Sequence, residues 1–148
     1  MNYFSMESPD FVDGGEIPKK FGYNFDNITP QIIFKNLPEN TASLALIMDD
    51  PDALDAVGKI WVHWLVCDRS INQDIPIEKE QNVGRTDFDK LGYGGPAPPD
   101  RQHTYIFRGY ALDIPTLNLR PGYSKKELEN AMKNHILGQA NLKGTFSP

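Results

Sequence analysis

The chain contains a single cysteine, Cys67, so no intrachain disulfide can form and the fold rests on its packing. That scarcity favours a reducing compartment only mildly, since a domain of this size folds without staples. Cys67 lies in an apolar run and is read as a core residue. Lys and Arg number 15 against 20 Asp and Glu, a net charge of −5. Such a balance argues against nucleic acid as the main partner, because backbone-phosphate affinity depends on clustered cations. It does not exclude a local anion site, which answers to the few groups lining it. No apolar run approaches the roughly 18 residues of a membrane-spanning helix, so no transmembrane segment is expected. Residues 1–10 lack the basic and apolar regions of a secretory leader, and a cytoplasmic location is the expectation. Also missing are a Gly-x-Ser-x-Gly elbow, a His-Glu-x-x-His helix, a His-x-His pair and any cysteine cluster. No catalytic residue, metal ligand or cofactor is therefore assigned.

What is present describes one domain over residues 1–148, with 39% hydrophobic and 24% charged residues. Gly and Pro, 12 of each, are spread in short clusters and cut the chain into short elements, the punctuation of a mainly β architecture. Strands are expected over residues 31–36, 41–49, 59–68 and 104–112, with a shorter one within 4–11. The 41–49 run, Ser-Leu-Ala-Leu-Ile-Met at its centre, is apolar throughout and suits a strand buried on both faces. Segments 68–93 and 113–123 lack periodicity; each reads either as a binding loop or as a packed surface loop. Ser124-Lys125-Lys126-Glu127 is a capping box, and Leu128, Ala131, Met132, His135 and Ile136 follow at helical spacing. The spacing predicts a helix with His135 on its buried face and Gly138 as its stop.

Two stretches carry the chemistry. In the first, Asp50-Pro51-Asp52-Ala53, Pro51 removes a ladder donor, so the chain leaves the sheet where Asp50 can face a cleft. Asp50-Pro51-Asp52 also reads simply as a turn. Downstream, strand alternation in Trp61-Val62-His63-Trp64 places Trp61 and His63 on one face, Val62 and Trp64 on the other. The second stretch is Gly92-Tyr93-Gly94-Gly95-Pro96-Ala97-Pro98-Pro99 followed by His103-Thr104-Tyr105. Its glycines permit close backbone approach and its prolines stiffen the path, so a shaped loop with exposed amides is expected. His103 and Tyr105 share a strand face. Asp, two His, Tyr and Trp beside such a loop supply donors, one acceptor and an aromatic wall, the needs of a phosphate or phosphoester pocket.

Ile47-Met48-Asp49-Asp50-Pro51-Asp52-Ala53 with Trp61-Val62-His63-Trp64 resembles the first signature of the phosphatidylethanolamine-binding (Raf kinase inhibitor-like) proteins. The glycine–proline loop with His103-Thr104-Tyr105-Ile106-Phe107 and Tyr110-Ala111-Leu112 resembles the second. The likeness extends to Asn27-Ile28-Thr29-Pro30-Gln31-Ile32 and to Leu142-Lys143-Gly144-Thr145-Phe146, and the His63-Trp64 pair is similar to the bacterial and archaeal branch. The resemblance implies a sandwich of two antiparallel β-sheets and a short C-terminal helix. It also implies an anion pocket of Asp50, Trp61, His63, Gly95, Pro96, His103 and Tyr105. Leu54 stands where the family commonly has proline. Thr104 replaces a usual arginine and leaves Asp52 short of its cationic partner, with Arg101 or Arg108 as substitutes. The function implied is non-enzymatic binding of a phosphate-like anion or phospholipid headgroup, extending to regulation of a kinase or protease partner. Protonation of His63 or His103 at mildly acidic pH would strengthen the binding. A small hydrolase or metal-dependent enzyme using Asp50, His63 and His103, and a partner-binding protein with a vestigial pocket, are the alternatives. Oligomeric state is left open, a homodimer included.

Overall fold

The computed structural model describes residues 3–79 and 82–148. The first two residues of the 1–10 segment, and residues 80–81 within the 68–93 segment, lie outside the described residues. The strands are β1 (Ser5–Glu7), β2 (Ile33–Lys35), β3 (Ser43–Asp50), β4 (Trp61–Arg69), β5 (His103–Leu112) and β6 (Ile136–Phe146). Helices α1 (Ala53–Val57) and α2 (Lys125–Met132) and two short 3-10 turns complete the elements among the described residues. Strands β1 and β2 pair antiparallel in a small sheet, and the large antiparallel sheet runs β4-β3-β5-β6.

Central position explains β3. All eight of its residues are buried, because β4 and β5 flank it and both of its faces are covered. Leu44, Leu46 and Met48 face the small sheet and pack with Met6, Phe34, Trp64 and Phe107. Ala45 and Ile47 face the other way, against Leu65, Cys67, Tyr110 and the α2 residues Leu128 and Met132. Each such fully buried aliphatic side chain contributes about 1.5–3 kcal/mol. The small sheet comes so close that a Cβ at Gly109 would lie 2.3 Å from the Met6 sulfur. Cys67 sits in this core, where burial pushes its thiol pKa up to about 12.

Helix α2 begins at the expected capping box, with the Glu127 amide donating to Ser124 Oγ and Glu127 Oε1 accepting from the Ser124 amide. It ends earlier than its apolar spacing predicts. Lys133 is already extended and Asn134 takes φ 71°, a left-handed stop four residues before Gly138. The chain then forms β6, the longest strand, paired with β5 from His103↔Phe146 to Leu112↔Ile136. Residues 140–146 bury Ala140, Leu142, Gly144 and Phe146 while Asn141 and Lys143 point outward, a period of two that outweighs the helical spacing of His135 and Ile136. His135 is consequently not on a buried helix face: its side chain is 38% exposed and its Nδ1 lies 2.8 Å from Asp113 Oδ1.

Parts of both long segments are tied to the sheet. Between Cys67 and Tyr93 the chain is pinned by the bridges Val66↔Val83 and Arg85↔Leu91. In the 113–123 segment Ile114, Leu117 and Leu119 pack on the second core cluster. Asp68 holds that segment by accepting from Thr116 Oγ1 (2.8 Å) and the Leu117 amide (2.9 Å). Among the described residues no helix is long and apolar enough to cross a membrane.

Candidate functional site

Strand β3 ends in two aspartates that point to opposite sides of the sheet. Asp49 faces α2 and is neutralised by Arg108 (3.2 Å) and Lys125 (3.0 Å). Asp50 faces the other way, is only 3% exposed, and accepts from His103 Nδ1 at 2.6 Å. Arg108 is thus committed to Asp49. Asp52 instead accepts from the Thr104 amide (2.8 Å), with Arg101 at 3.9 Å, so backbone replaces most of the absent cation. The Asp50-Pro51-Asp52 turn leads into α1, which Gly58 closes at φ 81°.

Pairing between β3 and β4 matches Met48 with Trp64, then Asp49 with Val62 and Asp50 with Trp61. His63 is therefore an extra residue, a β-bulge in which two residues oppose one. The bulge corrects the simple alternation. Val62 packs on the α2 side, whereas Trp64 joins the core cluster holding Tyr105 and Phe107. Trp61 and His63 still share the side on which Asp50 opens, and both line the same cavity.

The glycine loop locks this bulge in place. Gly94 donates its amide to the His63 carbonyl (2.8 Å) and accepts at its own carbonyl from His63 Nδ1 (2.7 Å). Gly95 donates to Asn27 Oδ1 (2.8 Å), and Pro96 accepts from the Tyr23 amide (3.0 Å). The expectation that these glycine amides stay exposed for an anion is corrected: both are consumed within the protein. Gly95 and Pro96 act from behind the site. A Cβ at Gly95 would sit 2.0 Å from the Phe21 carbonyl oxygen, so only glycine admits this approach.

The resulting cavity holds about 220 Å³. Asp50, Trp61 and His63 form its polar wall, Ala53 and Val57 of α1 one side, Ala97 and Pro99 the other. Phe88 supplies a further wall, stacked on Tyr23 at 3.8 Å and edge-on to Trp61 and His63. Tyr105 lies behind His63, their rings 5.1 Å apart, and His103 lies 6.4 Å from Tyr105. Phe88 and Val57 of α1 escape sequence reasoning: Phe88 shows only as one apolar side chain in the polar run Thr86-Asp87-Phe88-Asp89-Lys90.

The two histidines hold different protonation states. His63 gives its Nδ1 proton to the Gly94 carbonyl, which leaves the Nε2 lone pair free to accept. Burial lowers its pKa below the ordinary 6.5, outweighing the Gly94 bond and the Asp50 charge. His103 is fully enclosed, with Nδ1 on Asp50 and Nε2 on Asp100 Oδ1 at 2.7 Å. Two carboxylate partners require two N–H donors, so this ring is an imidazolium. Burial works against its charge, but the bonds and charges of Asp50 and Asp100 prevail and raise its pKa. Asp100 is a partner that the sequence reading omits. Tyr105 keeps its proton, because burial and then the Asp50 charge push its pKa up.

Among the described residues, three buried polar atoms here lack a well-formed hydrogen bond: Asp50 Oδ1, Trp61 Nε1 and the Tyr105 hydroxyl, which lies beside the Asp50 carboxylate and the Ala97 backbone. Buried groups in native proteins are ordinarily paired, and leaving one unpaired costs about 1–3 kcal/mol. Among the described residues no group of three His, Cys, Asp or Glu is placed to hold a metal ion.

Comparison with known proteins agrees with this architecture. A family model for the phosphatidylethanolamine-binding proteins matches residues 7–147. A UPF0098 protein of Methanothermobacter thermautotrophicus is 36% identical, covering 96% of this chain and 97% of the relative. One from Aquifex aeolicus is 40% identical over 94% of this chain and 85% of its own. A crystal structure of a phosphatidylethanolamine-binding protein homolog from Chlamydia trachomatis superposes with TM-score 0.90 at 33% identity, over 100% of this chain and 99% of that one. E. coli YbcL shares the fold, with TM-score 0.87 at 22% identity over 99% of both chains. With its sheets, its paired signatures and nearly its whole length accounted for, the chain belongs to the phosphatidylethanolamine-binding protein family.

Proposed function

We propose that this protein is a non-enzymatic binding protein whose pocket takes a small oxyacid group, phosphate or a phosphorylated headgroup, with a short apolar substituent beside it. The observation that carries the reading is a set of buried polar atoms at one cavity without a well-formed hydrogen bond: an acceptor on Asp50, a donor on Trp61, and just behind them the Tyr105 hydroxyl beside Asp50. With the His63 Nε2 lone pair, they match a ligand that both donates and accepts, as a partly protonated phosphate or phosphomonoester does. The Phe88, Val57 and Pro99 walls suit whatever the oxyacid carries.

Family membership supports a binding role. Against an acid–base enzyme stands His103, whose two nitrogens both donate to carboxylates and so offer no lone pair for a substrate proton. The histidines also divide the expected acid response. His103 is charged already at mildly acidic pH, and only His63 remains to gain a proton as pH falls well below 6.5. Titrating inorganic phosphate and phosphorylethanolamine against the labelled protein tests the proposal. Shifts at the Trp61 indole N–H and the Tyr105 ring are expected with both; silence at both groups at millimolar ligand refutes it. A parallel esterase and phosphoesterase screen refutes the non-enzymatic part if turnover is found and His63→Ala abolishes it.

A further inference from the structure

The two carboxylates that hold His103 are not equivalent. Asp50 is 3% exposed and fixed at the end of β3. The Asp100 side chain is 41% exposed, on the loop directly after Pro99, which forms the cavity rim. Its neighbour Arg101 reaches over to the opposite side, 3.6 Å from Asp55 of α1 and 3.9 Å from Asp52. Those ion pairs are long and solvent-exposed, so they are weak and weaken further with salt. The 99–101 segment forms a strap from Pro99 at the cavity to Asp55 of α1, with the half-exposed Asp100 carboxylate on the Nε2 side of an imidazolium.

We propose that Asp100 is a tethered, displaceable stand-in for an anionic ligand, and so the residue that sets which anions the pocket accepts. This inference rests on the oxyacid reading above. His103 Nε2–H is a charged donor next to the cavity, joined to it through Asp50, and Asp100 occupies it with the same kind of oxygen that an incoming oxyanion would present. Asp50, His103 and Asp100 together carry one net negative charge, so a second anion cannot enter beside them without repulsion. Exchange avoids this: Asp100 swings into water, where an already half-exposed carboxylate is readily hydrated, and a monoanion takes its place with the local charge unchanged. Asp50 cannot make that exchange because it is enclosed. A dianion would add a charge on exchange and is selected against.

The test is a phosphate titration of the full chain near neutral pH, on wild type and on Asp100→Asn and Asp100→Ala. Where the closed strap is populated about nine to one, apparent affinity is reduced to about a tenth of its intrinsic value. Both variants are then expected to bind phosphate about tenfold tighter. The Asp100 carboxyl gives a second readout in wild type. Burial opposes ionisation there, but the His103 hydrogen bond prevails and holds its pKa low in the free protein. It should return to the ordinary Asp value when phosphate saturates the site. Tighter binding by the variants, with or without measurable binding by wild type, supports the displacement. Wild-type binding with equal or weaker binding by both variants overturns it and leaves the oxyacid pocket standing. An Asp100 carboxyl still low at saturation likewise overturns it. If neither wild type nor variants bind, both readings fail.

Discussion

Replacing Asp50 by asparagine removes one charge from a buried pair while keeping its shape, so the loss isolates the electrostatics of the site. The bond removed is a 2.6 Å charge-assisted contact to His103 Nδ1, with the Asp50 residue 3% exposed. A hydrogen bond to a charged group contributes about 1.5–3 kcal/mol. Breaking a buried ion pair reaches about 3–5 kcal/mol when the remaining charge is left uncompensated. Asp100 still holds His103 Nε2, so the lower range applies, about 2 kcal/mol. For a chain of this size that corresponds to a fall in Tm of about 4–8 °C. The sign of the pH dependence follows from His103, whose pKa is raised in the folded state. Its contribution is complete below the unfolded value near 6.5 and is lost as pH rises through the folded value. Above that value the neutral ring can accept from the side-chain amide introduced by Asp50→Asn, and the variant recovers. His63 behaves oppositely: its lowered pKa costs stability as pH falls below 6.5, and because the Asp50 charge helps hold that pKa up, Asp50→Asn bears more of this cost at the acid end, in the same direction as the His103 loss. Urea unfolding of wild type and Asp50→Asn at about pH 5.5 and at an alkaline pH above the measured titration of wild-type His103 is the measurement. A destabilisation that is equal at the two pH values, or larger at the alkaline one, refutes the reasoning, as does a wild-type His103 that titrates at or below 6.5.

Gly95→Ala is expected to cost about 3 kcal/mol or more, at the top of the overpacking range. Its Cβ meets backbone, the Phe21 carbonyl at 2.0 Å and the Tyr23 amide at 2.8 Å, and neither can step aside. Chemical denaturation checks this, and wild-type stability in the variant contradicts the loop geometry. His135→Ala, by contrast, breaks only an exposed pair with Asp113 and should change stability by less than about 1 kcal/mol. A larger loss in thermal melts would restore the buried helix-face reading that the structure overturns.

The strands that fill the centre of the sheet were legible because hydrophobic sequence and burial coincide: residues 44–48 are apolar throughout and lie where both faces are covered. The cap of α2 was legible for a similar reason, since Ser124 and Glu127 interact across three residues. The end of that helix was not. His135 and Ile136 satisfy a helical period, yet the open edge of β5 offers ten paired positions to the same segment, a competition that no local pattern contains. Of the site, Asp50, Trp61, His63, His103 and Tyr105 stood out by residue type, and the structure gathers them around one cavity and its back wall. Gly95 and Pro96 stood out as well but brace the loop from behind.

Residue chemistry and local order, then, determined the β-rich fold, the family signatures and the cluster of polar groups at strand ends, because those depend on composition and neighbours in sequence. Only the tertiary structure decided how the groups are used. One extra residue in β4 turns Trp64 into the core while His63 stays at the cavity. The Gly94 carbonyl keeps one histidine neutral, and two carboxylates, 53 and three positions away in sequence, hold the other charged. Protonation and hydrogen-bond satisfaction are set by burial and by distances of a few ångströms between distant residues, which a linear pattern does not carry.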